Sequence, residues 1–156
     1  MSSLSPVSME PHRSPSSAPD TYLAYLRDQD DPMRWVAPRM FDRCAELRRF
    51  QRFVDGLEAR LGRKLDYELG SGIDEGAFHG EVFFAGAVIR FSNFGRMIAI
   101  VSGEVLSTQV RLLIDQVADE QGYIVIPASL LSLPYSGSNG LVSSDETWGS
   151  RYFGGI

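Results

Sequence analysis

The sequence predicts an α+β fold: an antiparallel sheet of about four strands with helices packed mainly on one face. Three observations predict it. A long stretch after Pro38 repeats apolar residues at helical spacing, three strand-like segments follow one another between Phe78 and Val101, and a helical stretch then precedes a fourth, Tyr123 to Ile126. Consecutive strands followed by a helical crossover build a sheet whose exposed face the helices cover. The 156 residues suit one domain, long enough to bury roughly 70% of its unfolded surface.

In chain order, residues 1–20 are rich in Ser and Pro and nearly free of large apolar groups. They bury too little to offset the entropy of ordering and are expected to be a disordered tail, with residues 21–156 forming the domain. TYLAYLRDQDDP reads as a short helix, with Asp20 as its N-cap and a stop before Pro32. In the long helix Met40, Cys44, Leu47, Phe50, Val54, Leu57 and Leu61 form one stripe, and Gly62 stands where a C-terminal cap belongs.

Phe78 to Phe84 alternates as a strand and Gly86 ends it. Val88 to Ser92 and Met97 to Val101 enclose Asn93-Phe94-Gly95-Arg96, a hairpin in which Gly95 supplies a positive φ. The next helix spans about Val105 to Gln121, with Ser102 or Ser107 as cap and Leu106, Val110, Leu113, Ile114 and Val117 as its buried stripe. Pro127 stops the fourth strand and opens a helical turn, Ala128 to Leu131. The tail from Thr147 to Phe153 holds Trp148, Tyr152 and Phe153, too much apolar surface to stay in water, so it is expected to dock on the body.

Composition excludes several classes. No apolar run reaches the roughly 18 residues of a membrane span. The first twenty residues lack the apolar core of a secretory signal, and the single cysteine, Cys44, has no internal partner. A reducing, cytoplasmic location is expected. Charge is unevenly placed. Residues 34–64 hold nine basic groups against four acids, net +5, and residues 65–156 hold four against eleven, net −7. One face of the long helix carries Arg43, Arg48, Arg49, Arg52 and Arg60. Such a face tracks phosphates, is simply solvated, or pairs with the acidic body; the chain's pI near 5.0 argues against nucleic acid as the main partner.

Few residues suggest catalysis. His79 and Glu81 are two apart in a strand, an arrangement that points both to one side and suits acid–base work; the alternative is a solvent-facing or rim histidine. Cys44 on the apolar stripe reads as a core residue. Ser143, Ser144 and Asp145 share a loop, with only His79 as a possible base. The glycines of Glu68 to Gly76 resemble a phosphate loop, but no Lys-Ser/Thr follows and the acids there repel phosphate. With no second histidine or cysteine in the domain, ligands for a metal are scarce, and no metal or cofactor is expected.

The second half carries a family likeness. Arg90-Phe91-Ser92-Asn93-Phe94-Gly95, Gly122-Tyr123-Ile124-Val125-Ile126-Pro127, Leu130-Leu131, Tyr135-Ser136-Gly137, Thr147-Trp148 and Arg151-Tyr152-Phe153 resemble bacterial immunity proteins. These accompany the toxins of contact-dependent inhibition and related polymorphic-toxin systems. The resemblance covers residues 78–153 and implies binding of a cognate toxin domain, often a nuclease, whose active site is blocked without catalysis. A basic toxin suits an acidic inhibitor. The acids placed in loops by the sequence, Asp66, Glu68, Asp74, Glu75, Asp145 and Glu146, are therefore the expected partner-binding residues. The competing readings are a non-catalytic adaptor domain with another protein partner, and a small enzyme using His79 and Glu81. Oligomeric state is not legible.

Overall fold

The computed structural model describes residues 19–70, 76–143 and 145–154. The expected tail, apart from Pro19 and Asp20, lies outside them. Helix α1, Pro19–Asp28, takes both of those residues into its first turn, so Asp20 is part of the helix and not its N-cap.

Helix α2, Arg43–Leu61, is capped at both ends. The Asp42 carboxylate accepts from the Ala45 amide at 3.0 Å, and Gly62, at φ 68°, donates its amide to the Glu58 carbonyl at 2.8 Å. The helix thus begins five residues after Pro38. Met40 falls before the cap and is 92% exposed; Cys44, in the first turn, is exposed as well, against the expectation of a core cysteine. The apolar stripe crosses the helix start at Arg43, before which the helical period does not hold. Burial begins in the next turns, at Phe50, Phe53, Val54 and Leu57.

Five strands form one sheet in the order β1-β2-β3-β4-β5. They are β1 (Asp66–Leu69), β2 (Phe78–Phe84), β3 (Ala87–Ser92), β4 (Met97–Val101) and β5 (Ile124–Val125). The first four run antiparallel, and β5 joins β4 in parallel. Strand β1 is the element the sequence reading lacked: Asp66 and Glu68 stand in an edge strand, not a loop. All four of its residues are exposed, so DYEL has no buried face to give it a pattern.

The β2–β3 hairpin closes through Ala85 and Gly86, both at positive φ (50° and 89°), the two-residue turn whose twist matches paired strands. The β3–β4 turn does the same through Gly95 (φ 60°), as expected, and Arg96 (φ 52°). Glycine is required at 95 for a second reason: a Cβ there would meet the Gln29 side chain at 2.5 Å.

A 3-10 helix, Gly103–Val105, follows β4, and helix α3, Thr108–Glu120, crosses over to β5. Ser107 is its cap, accepting from the Val110 amide at 3.2 Å. The two long helices, α2 and α3, cover one face of the sheet, where Phe50, Phe53, Ile114 and Val117 pack on Val82, Ile89, Phe91 and Ile98. The other face is covered at its β4 side. There α1, α4 (Ala128–Leu131) and α5 (Trp148–Phe153) bring Leu26, Leu131, Trp148, Tyr152 and Phe153 onto Met97 and Ala99. Strand β4 is therefore buried on both faces, which explains its unbroken apolar sequence. The aromatic tail docks as expected. Thr147 and Ser150 form a reciprocal capping box at the start of α5, and the Trp148 ring, fully buried, stacks on Tyr152 at 5.7 Å.

Candidate functional site

The six expected partner-binding acids do not form one loop cluster. Asp66 and Glu68 lie on β1, opposite Phe83 and Glu81 of β2. Tyr67, between them, turns its ring to Phe50 of α2 at 5.6 Å, so alternation sends Asp66 and Glu68 to the opposite face. Glu81 is neutralised by Arg90 at 2.5 Å, while Asp66 and Glu68 form no ion pair among the described residues. Asp145 is exposed just before α5. Glu146 is half-buried and its carbonyl accepts from the Tyr135 amide at 2.8 Å, which ties that loop to the segment after α4. Asp74 and Glu75 lie outside the described residues.

His79 and Glu81 are not brought together. The β2–β3 register shifts between Phe78 and Gly80, and the irregularity turns His79 onto the α2 face. Its ring there is 6.3 Å from those of Phe50 and Phe91, and 1% exposed. It is thus neither an acid–base partner of Glu81 nor a solvent-facing histidine. Glu81 faces the other way, toward Arg90, whose guanidinium also donates to the Phe153 carbonyl at 2.7 Å. The Asn93 amide nitrogen donates to the Val36 carbonyl at 2.9 Å, so its oxygen accepts from His79 Nδ1 at 3.0 Å. That assignment leaves the other ring nitrogen, Nε2, without a partner.

Burial disfavours the imidazolium and lowers the His79 pKa to about 4, with nearby Arg43 acting in the same direction and the Asn93 bond against it. An unfolded histidine titrates near 6.5. Between those values the unfolded chain binds the extra proton. The neutral ring's contribution to stability is therefore complete above about pH 6.5 and is lost as pH falls toward about 4. Replacing His79 by leucine should flatten that part of the stability–pH curve, removing a slope worth on the order of 1–3 kcal/mol across the window. Urea midpoints of both proteins at pH 7, 6, 5 and 4 check this; parallel curves would refute it.

The most heavily bonded polar group joins distant parts of the chain. Arg151 of α5 and Asp30, just past α1, form an ion pair at 2.9 Å with both side chains at 0% exposure. Arg151 also donates to the carbonyls of Trp35 and Arg34, each at 2.8 Å, and lies over the Phe94 ring at 4.5 Å. The Asp30 carboxylate accepts in addition from the Tyr135 hydroxyl and from the Ser138 amide. Asn139, also buried, donates to the carbonyls of Asp31 and Arg34 at 3.0 Å. Together these bonds hold the chain after α1, the loop after α4 and the C-terminal helix as one unit.

Four of the five arginines on that face of α2 bond to the rest of the fold, mostly through neutral oxygens. Arg49 donates to the Gln121 carbonyl at 2.7 Å and Arg52 to the Gln121 side chain at 3.3 Å, both at the end of α3. Arg60 pairs with Glu120, and Arg43 donates to the Gly70 carbonyl at 2.7 Å. Cations at a helix C-terminus are favourably placed against its dipole.

Ser143 Oγ accepts from the Asp145 amide at 3.4 Å, a turn contact; Ser144 lies outside the described residues. Among the described residues no group of three or more His, Cys, Asp and Glu is placed to hold a metal ion, and no helix is long and apolar enough to cross a membrane. No family model, curated protein or solved structure matches this chain.

Proposed function

We propose that the protein is an immunity protein that binds a basic toxin domain, a nuclease by the family resemblance, in the cytoplasm and blocks its active site by occupancy. The observation that carries this reading is the open edge strand β1. Its two acids are exposed and free of ion pairs among the described residues, at one border of a segment with net charge −7. Acids so placed raise the encounter rate of a basic partner and oppose association of the protein with itself, since a second copy would bring like charges together. The confinement of His79 among aromatic rings and of Glu81 by Arg90 takes support from the competing enzyme reading.

Charge reversal tests the proposal. Double replacements Asp66→Lys/Glu68→Lys, Asp74→Lys/Glu75→Lys and Asp145→Lys/Glu146→Lys should leave the fold intact. At low salt, at least one should slow association with a toxin domain taken from the neighbouring genes by about tenfold or more, and that loss should shrink at high salt. Binding kinetics at two salt concentrations, with co-expression of toxin and variant, give the readout. Unchanged association rates in all three variants would remove the acidic interface, and absence of any binding to the neighbouring gene product would remove the immunity reading.

A further inference from the structure

A half-open cavity of about 410 Å³ lies where β4 ends, bordered by the 3-10 helix, the start of α3 and the short helix α4. The size is within the range of small-molecule sites, roughly 300–1,000 Å³. Because α3 returns the chain to a parallel neighbour, β4 and β5 both end at this edge. Ile100, Ile126 and Leu131 supply apolar wall, and Ser102, Glu104 and Arg111 bring polar groups into it.

Three features of this cavity bear on what it can hold. Arg111 pairs with Asp115 one turn along α3 at 3.9 Å and its side chain is 40% exposed, but its Nε is buried without a hydrogen-bond partner. Glu104 is exposed and forms no ion pair among the described residues. Ser102 sits at φ 57°, ψ 35°, the left-handed conformation that Ala85 and Arg96 also adopt at turns, and here it starts the 3-10 helix at the cavity rim. Gly103 beside it lets the arginine lie against the backbone, since a Cβ there would be 3.1 Å from Arg111 Nη1.

The chemistry of the walls selects the ligand. An inorganic anion would use Arg111 and leave the apolar wall idle; a hydrocarbon would use the wall and leave Arg111 Nε without a partner. A simple carboxylic acid would satisfy both but would face Glu104 with nothing to offer it. A molecule with a carboxylate for the guanidinium, an ammonium for Glu104 and an apolar side chain for Ile100, Ile126 and Leu131 uses every group. We propose that this cavity is a binding site for a free α-amino acid with an aliphatic or aromatic side chain.

The test needs no partner protein. The full chain is titrated calorimetrically with L-leucine and L-phenylalanine, and with isocaproate and isoamylamine, which keep the body of leucine but only one of its charges. Saturable binding of an amino acid, tighter than either analogue, is expected. Arg111→Met should weaken it at least about tenfold, the equivalent of one lost charged contact. Glu104→Gln should abolish the preference for leucine over isocaproate. Ala128→Phe, at an exposed position on the rim, should block binding while melting like the wild type, so the site stays testable if the arginine variant fails to fold. No saturable binding of either amino acid, equal affinity for leucine and isocaproate, or unchanged binding in a folded Ala128→Phe protein would each overturn the assignment.

Discussion

Replacing Arg151 by methionine is expected to cost about 3–5 kcal/mol, because it removes one partner of a buried ion pair and strands the other. The Asp30 side chain is wholly buried, so its charge has no route to water. The methionine also leaves the Trp35 and Arg34 carbonyls without their donors. At about 2–4 °C per kcal/mol for a chain of this size, the melting temperature should fall by roughly 6–20 °C. Adding Asp30→Asn to that variant removes the stranded charge and should recover part of the loss. A urea midpoint within error of wild type for Arg151→Met would refute the buried pair. Failure of Asp30→Asn to recover anything would place the cost in the lost carbonyl and ring contacts instead.

Trp148→Ala is expected to destabilise by a similar amount, about 3–5 kcal/mol, by a different route. The ring is fully buried, stacked on Tyr152 and edge-on to Tyr135 at 4.7 Å, so its removal opens a cavity between α4 and α5. The indole Nε1 has no hydrogen-bond partner, so the loss is one of packing and not of a polar bond. Trp148→Phe keeps an aromatic ring on Tyr152 and should cost clearly less. The phenylalanine variant also separates ring packing from volume: equal losses in the two would assign the effect to shape alone. Denaturation midpoints and limited proteolysis at the C-terminus measure both; a wild-type midpoint for Trp148→Ala would show that the helix is not held by this ring.

Both predictions concern the C-terminal helix, and the sequence foretold only part of what holds it. The burial of Trp148, Tyr152 and Phe153 follows from composition, since so much aromatic surface at a chain end must find cover. The partner of Arg151 does not follow. Asp30 stands 121 residues away among Asp28 and Asp31, and nothing local separates the acid that becomes wholly buried from its neighbours. Selection among the three is a matter of which one the path of the chain after α1 aims at α5. Similarly, Gly137 was legible only as a loop glycine, whereas a Cβ there would collide with the Asp30 carboxylate at 2.1 Å.

The sequence by itself determined the class of fold, the β3–β4 hairpin, the α3 crossover and the docked aromatic tail, because each rests on local periodicity, a turn residue or a cap. It misjudged where local signals run out. The stripe through Met40 and Cys44 ignored a helix start. Strand β1 had no buried face to announce it, and the alternation of His79 with Glu81 assumed a regular strand that the β2–β3 shift interrupts. The candidate sites were the least legible. Asp66 and Glu68 read as loop acids and not as the open edge of a sheet, and the cavity beside Arg111 has no signal in the sequence. An edge, a bulge and a cavity are relations between segments far apart in the chain, and only tertiary packing brings those segments together.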